Sequence, residues 1–268
     1  MNQKRYVCFT LDYELDYGGR VHSFDTLEDR QGHRKLRALL DRHHAPLSAF
    51  VQTSVLSDYS AAMPTLQTLA SEVHSHSHTH ATVDFDSDFE LAHSLEILSK
   101  KFPQSAFGYR APYGKLYPGD IERLKNLGYA FDASIFPSWR PGKFNNLSAP
   151  IEPYFWPNGL QEFPFAVVPK VRLICGISYM KLFGPNLYNI LFKSMGLPNV
   201  LIFYGHMHDY FPTSGPKDFP PLIRWAFNRN SNKAFKITHD FLTTLEELGY
   251  EFLTMNELQK KFNETSSH

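Results

Sequence analysis

What most constrains this chain is an alternation of short apolar runs with stretches of helical character. Strand-like runs occupy residues 6–11, 46–52, 72–77, 107–110, 129–133, 161–165, 200–204 and 250–253. Between them, apolar residues at helical spacing predict helices over 27–44, 62–71, 88–101, 118–127, 188–195 and 232–248. The steps Leu127-Gly128 and Leu248-Gly249 put a glycine where a helix ends before the next strand. Strands joined through helices pair in parallel, so the class is α/β. Seven or eight such units in 268 residues favour a closed or nearly closed barrel, with an open sheet as the alternative. No repeat, low-complexity tract or linker interrupts the pattern, which predicts one catalytic domain over 1–268. Residues 263–268 are expected to fray. The stretch 137–169 breaks the alternation with seven prolines and predicts a long ordered loop at the rim of a site.

The charge balance removes several classes of partner. Lys plus Arg number 27 and Asp plus Glu 27, with no block of like charge, so nothing favours nucleic acid or electrostatic attraction to an anionic surface. No apolar run approaches the roughly 20 residues of a membrane span. The first residues lack the apolar core and small-residue cleavage site of a signal peptide, which predicts a cytoplasmic protein. Cys8 and Cys175 are too few for a disulfide framework and read as core thiols. Aromatics make up 15% of the chain, suited to a packed barrel or to stacking against a ligand.

Histidine is concentrated. Of 13 in the chain, four fall between His74 and His80, and two more at His206 and His208. Imidazoles four apart can converge on one cation if the chain turns after its strand, which leaves the pairs His74/His78 and His76/His80 both open. Other candidate strand ends carry titratable groups too: Asp12, Glu14 and Asp16 after 6–11, Arg110 before Pro112-Tyr113-Gly114, Asp132 and Ser134 in Phe131-Asp132-Ala133-Ser134, and His206 after Gly205. So many polar strand ends on one side of a barrel predict a shared active site.

The order of these motifs (an acidic strand end, His-x-x-x-His, Arg-x-Pro-Tyr-Gly, Asp-x-Ser and an apolar strand ending in His) closely resembles the polysaccharide deacetylase family, carbohydrate esterase family four, from Phe9 to at least Asp209. Ser134-Ile135-Phe136-Pro137 and Glu162-Phe163-Pro164 look like its branch associated with surface polysaccharide synthesis. The resemblance implies a deformed (β/α)7 TIM-like barrel, one divalent metal ion, zinc by the donor set, and removal of an N-acetyl or O-acetyl group from a sugar or glycan precursor. Carried over residue by residue, it implies Asp12 as catalytic base, oriented by Arg110, and His206 as general acid, steadied by Asp132. It implies His76 and His80 as metal ligands, and the Tyr113 backbone amide facing the oxyanion. The family's usual pair of adjacent aspartates is absent; Tyr13 follows Asp12, which implies Glu14 as the acidic ligand, with Asp16 the alternative. The aromatic loop around Trp139, Tyr154, Phe155 and Trp156 suggests stacking on a pyranose face. Two other functions stay open: hydrolysis of a different amide, such as a formamide or cyclic ureide, without a metal in some relatives, and a non-catalytic sugar-binding protein.

Overall fold

The computed structural model describes residues 4–81, 83–211, 213 and 215–266. Five strands line up in parallel at its centre: β1 (Arg5–Tyr13), β2 (Leu47–Val51), β3 (Glu72–Ser75) and, after the short β4 (Phe131–Asp132) and β5 (Gln161–Glu162), β6 (Val200–His206) and β7 (Tyr250–Phe252). β1 pairs with Val200–His206 along one edge; its other edge is shared by β7 at Arg5–Val7 and β2 at Phe9–Tyr13.

The ring then closes through shorter pieces. The 107–110 segment contributes only Tyr109, which bridges Ser75 on one side and Asp132 on the other. β4 (Phe131–Asp132) pairs in parallel with β5 (Gln161–Glu162), and Ala166 N donates to Ile202 O of β6 (Val200–His206). Seven segments thus surround one axis, a deformed (β/α)7 barrel, with β7 outside the ring. Gly108 is required inside it, since a Cβ there would meet the Phe131 ring at 2.1 Å.

Strand parity decides what faces the axis. On β1, Val7, Phe9 and Leu11 join the layer between barrel and helices, whereas Cys8 packs on the axis with Phe50, Phe131, Ala133, Phe163 and Ile202. Thr10, Asp12 and Glu14 continue that inward row toward the C-terminal end. Burying each large side chain of these layers contributes about 1.5–3 kcal/mol against the entropy of ordering it.

The helices over Arg30–Arg42, Ala62–Leu69, Ser87–Lys101, Asp120–Leu127, Pro185–Met195 and Ala234–Glu247 fall where the periodicity predicts them. Three more, Ile177–Phe183, Pro221–Asn228 and Met255–Ser266, were not legible as helices. The last corrects the expected fraying of 263–266: Met255 and Leu258 are buried against the axial cluster and Phe262 packs on it, so this turn periodicity is used. Residues 267–268 lie outside the described residues. The proline-rich stretch is ordered as two antiparallel pairings, Trp139–Arg140 with Phe144–Asn145, and Tyr154–Phe155 with β5. No described helix is long and apolar enough to cross a membrane.

Candidate active site

At the C-terminal end of the barrel, β1 delivers Asp12 and Glu14, both buried, into the floor of a cavity of about 760 Å³. Glu14 Oε2 lies 2.6 Å from His80 Nε2 and 3.1 Å from His76 Nε2. Burial pushes the Glu14 carboxyl up, but His80 and His76 outweigh it and hold the group well below the usual range.

The turn that joins these imidazoles follows β3. Ser77 and His80 both take the left-handed backbone conformation, φ 62° each, so the chain doubles back and returns His80 beside His76. Glu90, from the helix Ser87–Lys101, accepts 2.8 Å bonds from the amides of His78 and Thr79 and fixes the turn. The other two histidines go elsewhere. His74 lies between Phe50 and Phe131 and bonds Glu72 at 2.8 Å; His78 meets Thr53 Oγ1 at 3.0 Å and packs on Phe89 and His93. Asp16 is not part of the cluster either. Its Oδ2 accepts from Ser23 Oγ and Asp25 N, and burial raises it to about 6.

Glu14, His76 and His80 suit a divalent cation. Their ligating atoms all lie within 4.8 Å of one another. His76 Nδ1 sits 2.8 Å from the Arg110 carbonyl, which can only accept, so Nδ1 carries a proton and Nε2 is the ring nitrogen that faces the Glu14 carboxylate. A lone pair facing an anion in a buried site is unfavourable without a cation or proton between them, and two imidazoles plus a carboxylate are ligands that zinc accepts.

Asp12 has a separate environment. Arg110 Nη1 donates to its Oδ1 at 2.5 Å and to Thr10 Oγ1 at 3.1 Å. The buried guanidinium is sandwiched 3.7 Å from the Phe50 ring centre and 4.4 Å from Phe165, so it has little freedom to swing. The second Asp12 oxygen stands 3.7 Å from His206 Nε2, and Glu14 Oε1 stands 3.8 Å from the same nitrogen.

His206 ends β6. Gly205 before it serves packing, since a Cβ would meet Ile177 Cγ2 at 2.6 Å. Asp209 Oδ2 accepts from the His206 amide at 3.0 Å and from Ser178 Oγ at 2.6 Å, and lies 3.3 Å from His206 Nδ1. Lys181 Nζ, itself buried, reaches Asp209 Oδ1 at 3.0 Å. Burial lowers His206, but Asp209, Glu14 and Asp12 together raise it to about 9, so it is protonated at neutral pH. His208 stacks on His206 and is pushed down to about 3 by burial and by that neighbour; its Nδ1 accepts the Tyr17 amide.

Asp132, expected to steady His206, does not reach it. Phe131 and Ala133 face the barrel axis, so the residue between them points away, bonding Ser134 Oγ at 2.5 Å and standing opposite Glu162. Asp209 occupies the place beside His206. Its sequence signal is the His206-x-x-Asp209 spacing of a capping box opening the short helix Met207–Tyr210. Lys181 and Glu90 had no such signal.

Tyr113 adopts φ 55°; its ring packs edge-on to His80 and its hydroxyl donates to the Gly18 carbonyl. Trp139 lines the cavity, 58% exposed. The other rim aromatics do not: Trp156 donates to Glu162, and Phe155 packs on Phe262, because pairing with β5 turns that strand away.

Residues 16–131 match the polysaccharide deacetylase family model, a span holding His76, His80 and Arg110. The match to that family covers 116 of the 268 residues. Asp12, Glu14 and His206 lie outside the matched span, so their place in the site rests on the geometry above. No curated protein matches the chain. Among solved structures, a protein described as a polysaccharide deacetylase from Mycobacterium smegmatis superposes with TM-score 0.61 at 13% identity, covering 99% of this chain and 93% of that one. Puue allantoinase superposes at 0.63 with 15% identity over 100% and 94%. A carbohydrate esterase family four pseudoenzyme from Bacillus anthracis superposes at 0.53 with 14% identity over 97% and 66%. These likenesses establish the barrel fold.

Proposed function

We propose that this polysaccharide deacetylase homologue is a metal-dependent hydrolase that removes an acetyl group from an N-acetylated sugar or glycan precursor. The observation that carries this reading is the convergence of Glu14, His76 and His80 beside Asp12–Arg110 and His206. Glu14, His76 and His80 would hold the cation, zinc by their donor types. When bound, such a cation polarises an amide carbonyl and lowers the pKa of a water toward about 7.

The remaining steps belong to the protein's own groups. Asp12, with one oxygen fixed by Arg110, takes the proton from the attacking water through its other oxygen. The Tyr113 backbone amide is assigned to the developing oxyanion. His206, protonated at neutral pH and steadied by Asp209, gives its proton to the departing amine. An amine leaves poorly without an acid, and His206 Nε2, 3.7 Å from the Asp12 carboxylate, is close enough to serve the same amide group.

Puue allantoinase names a second amide substrate class, the cyclic ureides, carried on the same fold. The test measures bound metal and acetate release from N-acetylated sugars, with allantoin alongside. About one divalent ion and acetate release support the deacetylase reading; allantoin turnover without acetate release overturns it in favour of ureide hydrolysis, and turnover of neither with metal-loaded protein overturns catalysis.

A further inference from the structure

The cavity is large and apolar for a sugar. An N-acetylated hexose has about fifteen heavy atoms and, even at a whole water's ~30 Å³ for each, would fill no more than roughly 450 Å³. The cavity holds about 760 Å³, leaving space beyond the sugar. Its outer wall is built from Leu147, Val171, Leu173, Leu182 and Phe183, residues with nothing to offer sugar hydroxyls.

That wall runs out to the surface. Val171, Phe183 and Leu147 line the cavity and are still 45–49% exposed. The helix Pro221–Asn228 continues the rim. Phe227 anchors it against Tyr17 and His208, Ile223 faces the cavity, and Leu222 and Trp225 turn outward, 75% and 51% exposed. An exposed apolar surface marks a contact with a ligand, a partner or a membrane, and its continuity with a catalytic cavity points to an apolar part of the substrate. Charge completes the picture: Arg20 and Arg140 line the same cavity and have no carboxylate partner among the described residues. Both are exposed at the cavity's rim, and a guanidinium group there suits a phosphate.

Resting on the deacetylase reading, we infer that the amide-bearing sugar is joined through a phosphate to a hydrocarbon chain, which lies along the Val171–Phe183 wall while the rim helix dips into a lipid surface. The neutral net charge is no obstacle, because an apolar rim binds lipid by burial of area. A nucleotide-linked sugar would satisfy the arginines and leave the apolar wall and rim wet.

Calorimetry with butyl phosphate, octyl phosphate and uridine monophosphate tests this without any hydrolysis, so it can fail while the deacetylase reading stands. Each methylene fully buried strengthens binding up to about fourfold. Octyl phosphate is therefore expected to bind at least tenfold tighter than butyl phosphate. In a Val171→Ser/Phe183→Ser variant that difference should vanish, whereas Arg20→Gln/Arg140→Gln should weaken both alkyl phosphates alike and keep the difference. The intact protein should sediment with phosphatidylcholine vesicles and a Leu222→Ser/Trp225→Ser variant should not. Equal affinities for the two alkyl phosphates, tighter binding of the nucleotide, or no vesicle association overturns the inference. Acetate release from a sugar coupled to octyl phosphate, set against the free sugar, reports separately on the deacetylase reading.

Discussion

Replacing Lys181 with Met strips a fully buried carboxylate of its cation. Asp209 is 2% exposed and Lys181 2% exposed, 3.0 Å apart. Breaking such a pair on one side costs about 3–5 kcal/mol, because the remaining charge stays desolvated. Asp209 keeps bonds from Ser178 Oγ and the His206 amide, which places Lys181→Met near about 3 kcal/mol. At about 2–4 °C per kcal/mol for a chain of this size, that is a loss of about 6–12 °C in Tm. Removing both charges in Lys181→Met/Asp209→Asn should cost less than the single change, since no unpaired ion remains. The pH dependence follows from the sign of the shift. In the native protein burial raises Asp209, but Lys181 overrides it and holds the group well below its ordinary value. Its contribution is therefore present above the unfolded pKa and lost as pH falls through the folded one. Without Lys181 burial prevails, Asp209 rises, and the variant's deficit shrinks on acidification as the carboxyl takes up a proton. Urea unfolding of the single and double variants at pH 7 and pH 5 measures this. A deficit below about 1 kcal/mol, or one unchanged between the two pH values, would refute the reasoning.

Other expectations concern the catalytic groups. His76→Ala/His80→Ala should abolish retention of a divalent ion, while His74→Ala/His78→Ala retains it; metal analysis of the purified variants decides the register. Glu14→Gln should weaken metal retention, whereas Asp12→Asn should keep the metal and lose about 100-fold to 10000-fold in rate; the reverse pattern would exchange their roles. His206→Ala should depress amide hydrolysis far more than hydrolysis of an activated aryl acetate, whose phenolate leaves unaided, and equal losses would remove its assignment as acid. Asp132, raised to about 6 by burial next to Glu162, holds a proton that the unfolded chain has already lost, so this pair makes stability decline as pH rises through that range. Asp132→Asn should flatten the decline, which Tm at pH 5 and pH 8 records.

The sequence by itself determined the strands and most helices, because amphipathic spacing and terminal glycines act within a few residues. It also placed the right residue types at the strand ends, and β1 parity alone puts Asp12 and Glu14 on one face with Cys8 and Thr10. Parity could not choose among four histidines at even positions. That choice was made by the chain leaving β3 at Ser77 and folding back at His80, a reversal clamped by Glu90 from a helix about ten residues further on. It likewise could not say which carboxylate serves His206. Asp132 follows β4 into the outer layer because Phe131 and Ala133 fill the axis, whereas Asp209 is returned by a single helical turn and neutralised by Lys181 from 28 residues away. Nor does spacing reveal an apolar wall assembled from separate loops and helices. Local pattern records what each segment prefers; which side chains share a desolvated space is decided by closure of the ring, where one residue's direction is fixed by the volume its neighbours already occupy.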